Sequence, residues 1–241
     1  MSAFTDLIDD LVAANRILAA EDVVDAYGHV SVRNPNDPTR YFMARARAPE
    51  VVEADDIMEF TLDGTPIDAK GRRPYLERFI HGAMFEARPD VQSVVHNHSE
   101  KVIPFGATGI PLKPIMHNCS PIGHEVPIWD AQTRFGDTNM LVTDMAMGRD
   151  LAQTLGNGAT ALMRGHGCVV SGRSIREAVF TAVYLQLNAE LQMQALQLGK
   201  PVKFLTKGEV DIRASESTGR GDDRAWERWC RRAGVPFKPQ A

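Results

Sequence analysis

Residues 77–99, ERFIHGAMFEARPDVQSVVHNHS, decide how the rest of the chain is read. The first half spaces Phe79, Ile80 and Met84, with Leu76 ahead of them, as the buried stripe of a helix. It is expected over Pro74–Glu86, with Pro74 tolerated in its first turn. The ARPDV segment ends that helix, and VQSVVH reads as an interior strand running out at His96-Asn97-His98. Two histidines two apart on a strand project from one face, where they can grip a metal such as Zn²⁺ or Mn²⁺. An ion needs at least one more ligand, and the candidate is His166 in LMRGHGCVV, again at the polar end of an apolar run. A histidine pair can also cap a strand with no ion at all. Glu77 and His81 lie one helical turn apart and so face one side. A carboxylate at a helix start is stabilised by the helix dipole, and beside a metal it serves as a ligand or proton shuttle. Glycines on both sides of His166 let backbone approach an ion closely, although a plain surface turn uses the same residue types.

Upstream of this stretch, residues 4–20 place Phe4, Leu7, Ile8, Leu11, Val12 and Leu18 near helical spacing. HVSVRN alternates as a strand, NPNDP is a turn, and Arg40–Met43 opens a second strand. ADDIMEF and TLDGTPI read as a short helix or turn, a strand, a D-G turn and a last short strand. Downstream, Val126–Ile128 reads as an edge strand, Asp144–Leu155 as a helix, ATALMR as an interior strand and CVVSG as extended. Ser174 and Glu177 form a capping box that opens a helix to about Leu198. This order predicts a single layered α/β domain, with a central mixed, largely antiparallel sheet flanked by helices. The expected division is a body over residues 1–210 and a tail over 211–241. The tail carries a short helix in DDRAWERWCRRAG whose tryptophans pack on the body or on a neighbouring subunit.

At 241 residues with net charge −4, the chain has room for one substantial core and no basic stripe for nucleic acid. No apolar stretch approaches the roughly 20 residues of a membrane span. The N-terminus is acidic at Asp6, Asp9 and Asp10, unlike a signal peptide. Three cysteines, Cys119, Cys168 and Cys230, make no CxxC pair, which suits a reducing cytoplasm.

Three segments, in order, carry a resemblance: YGHVSVRNP, residues 77–99 with the 19-residue step from Glu77 to His96, and LMRGHG. Over nearly its whole length the chain resembles the class II aldolase/adducin family. The resemblance implies a mixed sheet between helices and a cyclic homotetramer with sites at subunit interfaces. It also implies one divalent ion per subunit on His96, His98 and His166, with Glu77 as the acid/base. Imidazoles accept Mn²⁺ or Zn²⁺, and Co²⁺ or Fe²⁺ as well. The chain departs from the sugar-phosphate aldolases of the family at the residues that hold phosphate. It has Gly28-His29 in place of Gly-Asn, Arg45, Arg47 and Pro49 near the second strand, and Tyr75-Leu76 before Glu77. That pattern is similar to the branch that decarboxylates hydroxylated aromatic dicarboxylates.

The expected reaction is therefore decarboxylation of an ortho-hydroxylated aromatic or pyridine dicarboxylate. Its expected site combines Glu77, His29 and His117 as catalytic groups with Arg45, Arg47 and Tyr75 as substrate-binding groups. An arginine suits a planar carboxylate through two parallel hydrogen bonds. His124 has a weaker claim, and Cys168 is expected only to pack. Two rivals follow from the same residues: an aldolase or epimerase acting on a non-phosphorylated hydroxy-carbonyl compound, and a non-catalytic adducin-like interaction module. The retained histidines and Glu77 speak against the module, which has no need of an ion with an open position.

Overall fold

A computed structural model describes residues 3–216 and 223–239. Residues 217–222 and 240–241 of the expected tail lie outside the described residues, as does the start of its expected helix at Asp222. In chain order the elements are α1 (Ala3–Ala20), β1 (His29–Arg33), β2 (Arg40–Ala44), β3 (Ile57–Thr61), α2 (Arg78–Ala87), β4 (Ser93–Asn97) and α3 (Ile103–Thr108). They continue with β5 (Ile128–Trp129), α4 (Ala131–Phe135), α5 (Met145–Leu155), β6 (Thr160–Met163), β7 (Gly167–Gly172), α6 (Ile175–Gln197), α7 (Lys207–Glu216) and α8 (Asp223–Arg232).

The seven strands form one sheet in the order β3-β2-β1-β4-β7-β6-β5. Every neighbouring pair is antiparallel except β5–β6, which is parallel. The sheet is thus mixed and largely antiparallel, in a single α/β domain. Its central strands are buried on both faces because helices cover both. Val30, Val32, Val95, Cys168 and Val170 face a cluster shared with α1, α6 and α8. Met43, Val94, Ala161, Met163 and Val169 face one shared with α2 and α5. Since strand side chains alternate, His29 and Ser31 of β1 and His96 of β4 share the α2/α5 face. His29 pairs with His96 in the β1–β4 register.

Three expectations change in detail. Helix α2 begins at Arg78, not Pro74, and Glu77 is its N-cap residue with no side-chain cap bond. The stretch before it is tied elsewhere, because the Tyr75 hydroxyl donates to the Arg47 carbonyl. The short edge strand falls at Ile128–Trp129, where Leu162 donates to the Pro127 carbonyl. At Ser174 the cap is real, with the Glu177 N–H donating to its hydroxyl at 3.1 Å. The returning Glu177 carboxylate, however, accepts from the Arg173 N–H.

Helix α7 was not expected from its polar sequence. A capping pair opens it: Glu209 N–H donates to Thr206 Oγ1, and Thr206 N–H donates to Glu209 Oε2. Helix α8 lies against α1 and α6, with Trp226 1 % exposed. The guanidinium of the buried Arg176 sits over the Trp226 ring and pairs with Asp223 at 2.6 Å. No helix among the described residues is long and apolar enough to cross a membrane.

Candidate metal centre

At one end of β4 and the β6–β7 turn, Glu77, His96, His98 and His166 bring one ligand atom each into a single cluster. The His96 Nδ1 faces the Cys168 carbonyl at 3.0 Å, so that nitrogen donates and Nε2 is left with a bare lone pair. That Nε2 lies 3.2 Å from His98 Nε2, which lies 3.1 Å from His166 Nε2. Glu77 Oε2 is 3.5 Å from His96 Nε2 and 3.4 Å from His166 Nε2. Bond lengths of 2.0–2.1 Å give a tetrahedral site ligand–ligand edges of about 3.3 Å. The donor set fits a divalent ion on this spacing. Lone pairs and a carboxylate crowded together this closely repel one another unless a cation or a proton lies among them.

Burial and neighbouring groups shift two members of the cluster, His98 and Glu77. Burial, followed by the neighbouring His96 and His166, pushes the His98 imidazole down to about 4. Burial acts on Glu77 in the opposite sense and would raise its pKa. The adjacent His166 and His96 outweigh it when their rings carry a proton in place of an ion, and then hold the carboxyl well below the usual range. The other Glu77 oxygen, Oε1, accepts from the Val142 N–H at 2.9 Å. A segment 65 residues away in sequence thus fixes the carboxylate's orientation.

Behind the ligands lies a second set of imidazoles. His81 and Glu77 both face the sheet, but His81 reaches deeper. Its Nδ1 is 2.6 Å from Ser31 Oγ and its Nε2 is 2.6 Å from His29 Nδ1. Burial pushes His81 down to about 3 and holds His29 well below the usual imidazole range, so both are neutral near pH 7. The His29 ring lies 5.2 Å from that of His96 and 4.6 Å from that of Tyr75. Burial raises the Tyr75 phenol to about 12, which keeps it protonated.

The expected site residues divide into two groups. His29 and Tyr75 stand beside the ligands. Arg45 and Arg47 are engaged with the buried Asp56: Arg45 Nε at 2.6 Å, and Arg47 Nη1 on the other oxygen and on Glu53 at 3.1 Å. Burial would raise the Asp56 pKa, but the Glu53 N–H and the two guanidiniums hold it low. Tyr75 connects this pair to the site through its bond to Arg47. His117 lies on the surface in a 3-10 turn that α6 and α7 pack against. A cavity of about 220 Å³ opens beside His166, lined by Trp129, Gln132, Thr138, Met140 and Arg164 among others. Arg164 donates through Nε to Asp130 at 2.6 Å. Ser31, Asp56, Val142 and Arg164 went unnoticed in the sequence. For Arg164 a signal existed, since it lies two residues before a ligand in LMRGHG.

A family model described as "Class II Aldolase and Adducin N-terminal domain" matches residues 9–193. The chain is similar to Decarboxylase tropJ of Talaromyces stipitatus, at 32 % identity over 91 % of each chain. It is also similar to a 3,4-dihydroxyphthalate decarboxylase of Arthrobacter keyseri, at 26 % identity over 83 % of each. Among solved structures, an aldolase II superfamily protein from Pseudomonas syringae superposes with a TM-score of 0.78 at 22 % identity, over 95 % of this chain and 92 % of that one. That likeness concerns the fold.

Proposed function

The chain belongs to the class II aldolase and adducin family, and from that premise we propose that it is a metal-dependent carbon–carbon lyase. Its substrate class is an ortho-hydroxylated aromatic or pyridine dicarboxylate, from which it releases CO₂. The observation that carries this reading is the Glu77 carboxylate set against three convergent imidazoles, in a chain whose relatives include named decarboxylases. His96, His98 and His166 would hold a divalent ion, which would supply Lewis acidity where electron density builds on the ring oxygen.

The chain's own residues do the rest. Glu77 rests ionised, so it first takes the proton of the ring hydroxyl and then delivers it to the ring carbon that bears the departing carboxyl. The new C–H bond forms there, the C–C bond to CO₂ breaks, its electron pair returns to the ring, and the ring oxygen, left as an anion, takes a proton from water. The Val142 N–H holds the carboxylate in place through both transfers. His29 bonds to a substrate oxygen, and His117 joins it from a neighbouring subunit. Arg45 or Arg47, carried on the Tyr75 contact, takes the second carboxylate. Asp56 and Glu53 together balance the two guanidiniums, so the substrate carboxylate competes with Glu53 for Arg47.

Further parts of the reading are the ion, the assembly and the compartment. The ion is Mn²⁺ or Zn²⁺, one per subunit, with Co²⁺ or Fe²⁺ also bound by such a site. The subunits form a homotetramer in the cytoplasm, each with a body over residues 1–210 and a tail over 211–241. In support, Tyr27 and Leu76, neighbours of Gly28 and Glu77 in sequence, are 70 % and 52 % exposed. A neighbouring subunit would cover that apolar surface. Three free, buried cysteines agree with a reducing compartment.

The test is incubation with 3,4-dihydroxyphthalate and related diacids under each metal, following CO₂ and product. Metal-dependent CO₂ release is expected. Cleavage of 4-hydroxy-2-keto acids, with no CO₂ from any aromatic diacid, would make the protein an aldolase instead.

A further inference from the structure

His81 and Ser31 ligate nothing, yet both are 0 % exposed on the face of the sheet that carries the site. With His29 they form one hydrogen-bonded chain, and its protons can be counted. Among the described residues the Ser31 hydroxyl has a single partner, His81 Nδ1. A buried hydroxyl whose proton finds no acceptor is destabilising, so Ser31 donates and His81 Nδ1 is bare. The His81 ring then carries its proton on Nε2, which points at His29 Nδ1. That nitrogen must accept and is bare in turn, so His29 is protonated on Nε2. Any arrangement with a proton on His81 Nδ1, a doubly protonated ring included, leaves the Ser31 proton stranded.

The His29 Nε2 has no partner among the described residues, and it is not one of the sealed, unpartnered atoms of the interior. It belongs to a ring flanked by His96 and Tyr75. We propose that His29 is a fixed hydrogen-bond donor, its Nε2–H offered to an anionic oxygen of the substrate, and that Ser31 and His81 are the positioning residues that set this polarity. The identity of that oxygen, ring carboxylate or ring hydroxylate, rests on the decarboxylase reading. The assignment takes His29 out of contention as a base, because its bare nitrogen is turned inward to His81. Glu77 is left as the group that moves the proton. It also makes the site selective: a neutral donor accepts an oxygen with free lone pairs and rejects an N–H or ammonium group at the same place.

Nitrogen-15 spectra of histidine-labelled, zinc-loaded protein read the tautomer directly, with His29→Gln identifying the signal. The expected result is an Nε2–H tautomer whose Nε2 signal moves when phthalate, a non-reacting dicarboxylate probe, is added. An Nδ1–H tautomer, or a signal indifferent both to saturating phthalate and to saturating catechol, which presents the ring oxygen, overturns the proposal whatever the activity. Ser31→Ala should release the lock. It is expected to give mixed His29 tautomers and a kcat/KM for 3,4-dihydroxyphthalate lower by about tenfold, with metal content kept. Ser31→Thr, which restores the hydroxyl, should recover both. Wild-type tautomer and kinetics in Ser31→Ala would remove Ser31 and His81 from the role. Should the wild-type protein release no CO₂, the decarboxylase reading falls, while the tautomer and the phthalate or catechol shift still decide the donor assignment.

Discussion

The proposed reaction asks Glu77 to be two things at once, an anchored carboxylate and a group that moves a proton. Its two oxygens divide the work, Oε1 on the Val142 N–H and Oε2 toward His96 and His166. Glu77→Gln keeps the shape and a carbonyl for Val142 but loses the charge and the exchangeable proton. Three imidazoles remain, so elemental analysis should find the ion still bound while CO₂ release falls by about 10²- to 10⁴-fold. Wild-type turnover in that variant would take Glu77 out of the mechanism. The buried imidazoles carry a second prediction, this one for the metal-free protein. Burial pushes His98 and His81 down to about 4 and about 3 in the fold, against 6.5 for a free imidazole. Below pH 6.5 the unfolded chain therefore binds protons that the folded chain refuses, and stability falls as the pH drops toward 4. Each such group adds a slope of about 1.4 kcal/mol per pH unit. Urea midpoints of EDTA-treated protein across that range should decline steadily; a flat profile would mean that these rings are protonated in the fold.

Two contacts between elements set the site's dimensions. Strand β7 comes so near β4 that a Cβ on Gly167 would strike the Asn97 carbonyl. The close approach lies between His96 and His98 on one side and His166 on the other, so it controls how far apart the ligands stand. Gly167→Ala should therefore cost about 1–3 kcal/mol and loosen the metal together with the fold. Isothermal titration with Zn²⁺ beside a denaturant melt checks this, and unchanged affinity in a destabilised protein would separate the two effects. Helix α2 shows where local signals stop. Its apolar stripe was legible, but its start was not, because the turn before it answers to distant partners: Tyr75 to Arg47, Glu77 to Val142. The opposite failure occurred at α7, where Thr206-Lys207-Gly208-Glu209 is a capping box that the polar composition of the helix hid.

Taken whole, the molecule places its chemistry on one side of a sheet and much of its anchorage on the other. The strands were readable because alternation and apolar runs are local, and the candidate cluster because three segments in order carried the family resemblance. What stayed hidden was contact across long loops. Ser31 with His81 spans 50 residues, and Asp56 gathers two arginines that sequence alone leaves free to meet substrate. The C-terminal helix belongs to the side away from the ligands. Trp226 and Trp229 sit in the cluster with Leu11, Val30, Val95 and Leu185, whereas α2 and α5 pack on the other face. Trp226 is sealed at 1 % exposure beneath Arg176, whose Nη1 pairs with Asp223 and whose Nη2 donates to the Lys238 carbonyl at 2.6 Å. Emptying that place removes a large apolar body and leaves a buried guanidinium without its ring. Trp226→Ala should cost about 3–5 kcal/mol. At about 2–4 °C per kcal/mol for a chain of this size, the melting temperature should drop by roughly 10 °C. Metal stoichiometry well below the melt should stay at the wild-type value, since the sheet stands between the cavity created and the ligands. A thermal scan paired with metal analysis decides it: loss of metal at a temperature where the far-UV signal is intact would show that the two faces are coupled through the sheet.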